Sequence, residues 1–237
     1  MIKHGTRLYL IRGDLRMDSI HDSSDFLDKN GTKEVILRAF HEYGTPKAYK
    51  KNEFIFLEND PANAVFYVDT GLVKISQSSQ EGQGITLFLR YAGEIFGNAE
   101  LLANLQRKRY AKCLVDCQII TLEGRIFLEL AKSNAEFAYS LAVIGAHRLL
   151  QTQNVVETLI SRPVAWRLAW FLFQMGTQKD EQIELQLQLS HEEISYVIGC
   201  SRQTVTETLN KWREKALIDY NNKKIIIYHP SRFFTDI

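Results

Sequence analysis

The sequence predicts an α+β chain built in three parts, and three observations carry that expectation. Between about Pro46 and Leu122, short apolar runs alternate with breaks rich in Gly, Asn, Asp and Gln. From about Asn134 to Ile160 an apolar stripe recurs every three or four residues, and beyond Arg162-Pro163 two short helical patterns flank a glycine and lead into a hairpin pattern. The expected architecture is an N-terminal β-roll sensor, a long dimerisation helix and a C-terminal winged helix-turn-helix. Its parts are residues 1–45 (an extension and a short helix), 46–130 (the β-roll), 131–161 (the long helix) and 162–237 (the winged helix-turn-helix).

Bulk properties bound this picture. A chain of 237 residues with 45% hydrophobic and 24% charged content is an ordinary globular protein, long enough for two modest domains, which excludes disordered and collagen-like classes. Three cysteines, Cys113, Cys117 and Cys200, are too few and too oddly placed for a disulfide framework, so thiols in a reducing compartment are expected. No apolar run approaches the roughly 20 residues a membrane helix needs, and the stretch from Leu8 to Ile11 is far shorter, so no membrane association is expected. The formal charge of +1 says nothing about nucleic acid for the whole chain. Any such claim must rest on local charge.

From Met1 to about Asn30 the chain is polar and aperiodic, with Asp22, Ser23, Ser24 and Asp25 clustered, and is expected to be a poorly ordered extension. Met17 is a second candidate start. Val35, Ile36, Ala39 and Phe40 have helical spacing within a helix expected over Lys33 to Tyr43. Strands are expected at Phe54–Leu57, Val65–Val68, Leu72–Ser76, Ile85–Arg90, Tyr110–Val115 and Gln118–Leu122, close enough together for a roll whose interior is filled or holds a ligand. In the long helix the stripe is Phe137, Leu141, Ile144, Arg148, Thr152, Val155 and Leu159, close to a coiled-coil seam, for which the same helix of a second copy is the simplest partner. Packing of that helix on its own domain alone is the alternative. Proline at 163 ends the helix, since the residue before proline is driven out of the α region. A further helix is expected from Ala165 to Gln174.

Ser190-His191-Glu192-Glu193 fits a capping box. The helix it opens runs through Ile194 and Val197 to Gly199, which can take the positive φ of a tight turn, and Ser201 caps a second helix reaching Trp212. Ile194, Ile198, Val205 and Leu209 are expected to fix the angle between the two helices. That leaves Arg202, Gln203, Thr206 and Glu207 on the outer face, near the N-terminal end from which recognition helices read base edges. Leu217, Ile218 and Tyr220, then Asn221-Asn222, then Ile225 to Tyr228 predict a hairpin wing, with Lys223 and Lys224 at its tip as phosphate contacts. From Gly199 to Lys224, six cations against Glu207, Glu214 and Asp219 leave a local excess of three positive charges. Any helix pair with solvated lysines and arginines would share that charge; the ordered set of cap, glycine turn and wing would not be shared.

Ile198-Gly199-Cys200-Ser201-Arg202-Gln203-Thr204-Val205 closely resembles the helix-turn-helix of Crp/Fnr regulators, and Gly93-Glu94-Ile95-Phe96-Gly97 resembles their β-roll ligand loop. The match covers about Lys51 to Pro230. Within that family, Arg148-Leu149-Leu150-Gln151-Thr152, Val156-Glu157-Thr158-Leu159 and Leu189-Ser190-His191 look like the nitrogen-regulator (NtcA) group of cyanobacteria and algal plastids. The resemblance implies a cyclic-nucleotide-binding-like roll, a homodimer, and binding to palindromic promoter DNA with contacts from Ser201, Arg202, Gln203, Thr204, Thr206, Glu207, Lys223 and Lys224. It also implies activation of nitrogen-assimilation genes with RNA polymerase as a partner. No resident cofactor is implied. The implied allosteric effector is 2-oxoglutarate, held by the backbone of Phe96, Gly97, Asn98 and Ala99 and the side chains of Arg109 and Arg148, with Gln153 at the rim. A plastid stroma follows if the chain is plastid-encoded, and a bacterial cytoplasm otherwise.

The chain departs from that group in three places. Gln153 stands where the group has an acid, Asn98-Ala99-Glu100 where it is apolar, and Glu207 where family members commonly place an arginine; a carboxylate there repels phosphate and can accept from cytosine. Independently of any resemblance, Arg148 lies in an apolar stripe, where an unpaired charge is costly. Either a carboxylate ligand answers it, or it reaches water or a protein acid such as Glu100.

Other classes fit less well. A cyclic-AMP receptor keeps an Arg-Ser pair where Arg109 is followed by Tyr110. An iron–sulfur sensor needs converging cysteines, yet Cys113 and Cys117, on one expected strand, would be roughly 13 Å apart. There is no P-loop, nucleophile elbow or metal-binding His pair, so no enzymatic activity is expected. A regulator that answers another ligand or none, and a binding module that has lost DNA recognition through Glu207, remain open.

Overall fold

The computed structural model describes residues 31–78, 84–179, 181–186, 189–221 and 224–236. The expected N-terminal extension with its Asp22–Asp25 cluster, the alternative start at Met17, Asn222 and Lys223 lie outside the described residues. Two compact units emerge, divided between Gln151 and Thr152.

The first unit begins with helix α1 (Thr32–Tyr43) and continues through β1 (Thr45–Tyr49), β2 (Phe54–Phe56), β3 (Ala64–Thr70), β4 (Leu72–Ser78), β5 (Gly84–Tyr91), β6 (Ile95–Phe96), the short helix α2 (Asn98–Leu102), β7 (Tyr110–Cys113), β8 (Cys117–Glu123), α3 (Gly124–Ser133) and α4 (Ala135–Ser161). The strands form two four-stranded antiparallel sheets, ordered β1-β8-β3-β6 and β2-β7-β4-β5. Strand β3 shows why. Its successive side chains point to opposite faces: Phe66 and Val68 join Val73, Ile75, Ala111 and Ile119 inside the roll, while Val65 and Tyr67 join Ile36, Phe40, Phe127, Phe137 and Ile144 under the helices. Because both faces are covered, the strand is continuously apolar rather than alternating.

All six expected strands form. Four elements of this unit lie beyond the sequence reading. β1 carries Pro46 and is exposed along four of its five residues, as an edge strand that proline tolerates; β6 is only two residues long. α2 falls inside the span expected to be all roll, and α3 begins inside it and runs three residues past its end. One expectation is corrected: Cys113 ends β7 and Cys117 begins β8, so they sit on consecutive strands rather than one. Both are buried free thiols, and burial together with the Cys117 thiol pushes the Cys113 thiol up.

The second unit holds the end of α4, then α5 (Val164–Met175), β9 (Thr177–Lys179), β10 (Gln182–Gln186), α6 (His191–Ile198), α7 (Arg202–Glu214), β11 (Ile218–Asn221), β12 (Lys224–Tyr228) and α8 (Pro230–Asp236). A sheet ordered β11-β12-β10-β9 backs the helix pair. Leu168, Leu172, Ile194, Ile198, Val205, Leu209, Trp212, Ile225, Ile227 and Phe233 are buried in this unit, with Trp212 and Phe233 in edge-to-face contact at 5.1 Å. The four residues expected to fix the helix pair are among them. The end of α4, from Thr152, groups with this unit. Arg167 donates to the carbonyls of Leu159 and Arg162 at 3.0 and 3.2 Å.

Gly199 has φ 66° and ψ 57°, and a Cβ there would lie 2.7 Å from Leu159 Cδ2. Replacing it by alanine is therefore expected to destabilise the chain by about 1–2 kcal/mol. Ser190→Ala, which removes the cap, is expected to cost about 1 kcal/mol. Urea unfolding of the full chain measures both; unchanged midpoints would mean that neither the turn nor the cap holds the helix pair.

Candidate functional site

The helix pair is set by its ends. Ser190 Oγ accepts from the Glu193 amide at 3.2 Å while Glu193 Oε2 accepts from the Ser190 amide at 3.0 Å, completing the capping box. Past Gly199, Ser201 Oγ accepts from the Thr204 amide at 3.0 Å and starts α7. The turn is also pinned from behind, where Arg167 Nη2 donates to the Gly199 carbonyl at 2.9 Å. Nothing in the periodicity singles out Arg167 from other arginines on helix surfaces.

Of the residues expected to meet DNA, Arg202, Gln203 and Glu207 are exposed on α7. Gln203 Nε2 donates to Glu207 Oε1 at 2.7 Å, one turn on. Ser201 and Thr204 spend their hydroxyls on the cap, 2.8 Å apart. Thr206 turns toward the wing: His191 contacts Thr206 Oγ1 through Nδ1 at 2.9 Å and the Tyr220 hydroxyl through Nε2 at 3.0 Å. His191 thus ties α6, α7 and β11 together, and burial, with Arg202 nearby, lowers its pKa. Its spacing from those partners along the chain left that role invisible. Lys224 lies 3.4 Å from Glu184 Oε2, which also accepts from Lys179 at 2.8 Å. Those two lysines hold the Glu184 carboxyl below its ordinary range.

The first unit carries the second site. Its corner is the turn from β6 into α2, where Gly97 has φ 79° and a Cβ would lie 2.9 Å from Arg107 Nη1. Only glycine fits. Arg107 is 2% exposed. It donates to the carbonyls of Gly97, at 2.6 Å, and Ala64. Its guanidinium lies over Phe56 and Phe66 at 4.5 and 5.7 Å from the ring centroids. Burial lowers its pKa.

Arg148 reaches this corner from α4, donating to Asn98 Oδ1 at 3.1 Å and to the Ile95 carbonyl. Burial and the like charge of Arg90 lower its pKa to about 9, against a smaller opposing effect of Glu94. It remains a cation at neutral pH, beside a second largely buried arginine. Arg90 Nη1 donates to the Leu89 carbonyl at 2.9 Å while its buried Nε has no partner. A cavity between α1, the β5–β6 turn and α4 is lined by Thr32, Lys33, Glu94, His147, Arg148 and Gln151, among others.

The expected effector residues are not all brought to one place. Phe96 is buried in the roll interior, leaving only its backbone for a ligand. Arg109 meets Glu100 at 3.7 Å and lies over Phe88 at 5.9 Å rather than lining the cavity with Arg148. Ala99 is exposed. Gln153 is exposed too, and Gln151, one turn-fraction earlier, lines the cavity instead.

The position of Arg148 corrects the expected seam. Phe137, Ser140 and Ile144 are the buried residues of α4, and Arg148 continues that face onto the roll, so the first half of this stripe serves its own unit while Thr152, Val155 and Leu159 of the second half are exposed. A different face is bare. Tyr139, Ala142, Ala146, Leu149, Gln153, Val156 and Ile160 are all exposed, with Leu149 at 60% and Ile160 at 83%, and their steps of three and four form a strict heptad.

Among the described residues no helix is long and apolar enough to cross a membrane, and no group of three or more His, Cys, Asp or Glu could hold a metal. Residues 46–134 match the cyclic nucleotide-binding domain family and residues 166–233 the Crp-like helix-turn-helix domain family. The global nitrogen regulator of Nostoc sp. is 32% identical over 80% of this chain and 89% of its own length. That of Synechococcus elongatus is 30% identical over 82% and 93%, and the cAMP-activated global transcriptional regulator of Haemophilus influenzae 27% identical over 76% and 82%. Among solved structures, the c-di-GMP responsive regulator CLP of Xanthomonas campestris shares the fold with a TM-score of 0.71 at 20% identity, covering 82% of this chain and 99% of its own. With a roll in one unit, a capped helix-turn-helix and wing in the other, and relatives of this identity over most of their length, the chain belongs to the Crp/Fnr family of DNA-binding transcription regulators.

Proposed function

We propose that this regulator acts as a homodimer whose DNA binding is controlled by a small acidic effector, 2-oxoglutarate, and that it activates nitrogen-assimilation genes together with RNA polymerase. The bacterial cytoplasm, or the stroma for a plastid-encoded chain, is the compartment that goes with this reading. The observation that carries it is the Arg148 guanidinium, held at the corner of the roll by Asn98 and the Ile95 carbonyl and lining a cavity, with the like charge of Arg90 near it and Glu94 as its acid neighbour. A pair of like charges is stabilised by an anion, and a carboxylate binds a guanidinium through paired, charge-assisted hydrogen bonds. The identities to nitrogen regulators support the choice of signal.

Dimerisation is supported by the bare heptad face of α4. Leucine, valine and isoleucine at that spacing bury well only against another helix, and a two-fold pairing of α4 is the simplest arrangement. Paired this way, two recognition helices would address successive major grooves about 34 Å apart, and an effector that favours one packing of the helix pair would set that spacing.

Three outcomes are expected. In sedimentation, Leu149→Arg with Val156→Arg yields a monomer; a dimer of unchanged affinity would mean that this face is not the seam. Arg202→Ala weakens binding to a promoter site by about 1–3 kcal/mol at fixed salt, while an unchanged affinity would remove Arg202 from the interface. In calorimetry the wild type binds 2-oxoglutarate and not cyclic AMP, and Arg148→Ala abolishes that binding. A wild type that binds neither would sink the nitrogen-sensor reading and leave DNA recognition intact.

A further inference from the structure

The short helix α2 places two acceptors of its own against the arginines of the effector corner. Asn98 Oδ1 accepts from Arg148 Nη1 at 3.1 Å. Two residues on, the Glu100 carboxylate sits between two guanidinium groups, with Oε1 3.7 Å from Arg109 Nη1 and Oε2 3.8 Å from Arg107 Nη1. Glu100 is a largely sequestered acid, its side chain 15% exposed, against 1% for Arg107 and 33% for Arg109. A carboxylate so placed is worth more than a surface ion pair, because removing it leaves buried positive charge uncompensated.

Arg109 and Arg148 are the two side chains that the effector reading gives to the ligand, and of the two only Arg148 lines the cavity. In this chain each already has a partner from α2, an anionic one at Arg109 and a neutral amide oxygen at Arg148. We propose that Glu100 and Asn98 are specificity-determining residues of this site, built-in acceptors that a dicarboxylate must displace in order to bind. The proposal rests on the effector reading above for the identity of the ligand, and not for the acceptor role itself. An incoming carboxylate at Arg109 gains little, since it replaces one anion by another and releases a part-buried acid that must find water. Asn98 is a weaker obstacle, because a carboxylate forms a stronger, charge-assisted bond to Arg148 than an amide oxygen does. The site therefore disfavours a plain diacid mainly at its Arg109 end.

The test compares the full-length wild type with Glu100→Gln in two assays. Calorimetric titration with 2-oxoglutarate is expected to show binding about tenfold or more tighter in the variant, the change that 1.4 kcal/mol produces. Thermal unfolding in sodium sulfate against sodium chloride of equal ionic strength uses an anion that owes nothing to the nitrogen signal. There the variant's midpoint is expected to rise more than the wild type's, the general stabilisation by sulfate being common to both. If neither protein binds 2-oxoglutarate but sulfate still favours the variant, the acceptor role stands and only the identity of the effector fails. Equal responses of the two proteins to both anions, or tighter 2-oxoglutarate binding by the wild type, would overturn the proposal. Should Glu100→Gln not fold, Asn98→Ala, which takes one acceptor from Arg148 and leaves its bond to the Ile95 carbonyl and the buried Arg107 untouched, carries the same comparison with the same two readings.

Discussion

A buried charge organises the first unit. Arg107 lies in the roll with almost no access to water, and a guanidinium in that position is tolerated only where its donors and its charge are answered. The Ala64 carbonyl at the start of β3, the Gly97 carbonyl at the β6–α2 corner, the Glu100 carboxylate and the faces of Phe56 and Phe66 together answer it. One side chain thereby binds a strand of each sheet to the turn on which the effector corner is built. The corner's need for glycine follows from the same packing, because a Cβ at 97 would meet the Arg107 guanidinium itself. Arg109, two residues along the chain, and Arg148, from α4, then find their partners on the helix that this corner launches.

Helix α4 has to satisfy two surfaces at once. Its Phe137, Ser140 and Ile144 face is consumed by the roll, and Arg148 is carried to the corner on that face. The face with Leu149, Val156 and Ile160 is left to water. An amphipathic helix on one domain needs only one apolar stripe. The second stripe is what gives the proposed dimer its physical basis, and Arg148 lies off it. A ligand at Arg148 would then act on the seam through the body of the helix rather than by touching the partner.

In the DNA-binding unit, the helix pair is set by contacts at its ends and behind its turn. Arg167 holds the turn at Gly199, His191 joins α6, α7 and the wing, and Ser190 and Ser201 fix where each helix begins. With those contacts made, Arg202, Gln203 and Glu207 are what α7 offers outward. The Gln203–Glu207 hydrogen bond makes the carboxylate a neighbour of the Gln203 amide on the outer face of α7, so the acid changes the hydrogen-bonding chemistry that this face offers.

The amino-acid sequence alone determined the elements whose cause is local. Ser190 and Glu193 three residues apart, Gly199 in the left-handed region, Ser201 before its helix and the apolar strand runs of the roll are all written within a few residues of each other, and the structure has them as expected. The family was legible for the same reason, since its motifs are contiguous. Tertiary structure decided what depends on residues far apart in the chain. Which stripe of α4 faces the roll could not be read from periodicity, because two apolar stripes share one helix and only the roll selects between them. That Arg107 is buried, that Glu100 answers Arg107 and Arg109 while Asn98 answers Arg148, and that Gln151 rather than Gln153 lines the cavity, are matters of which side chains the fold brings within a few ångströms. Charge and hydrogen bonding act over those distances in space, and sequence spacing carries no record of them.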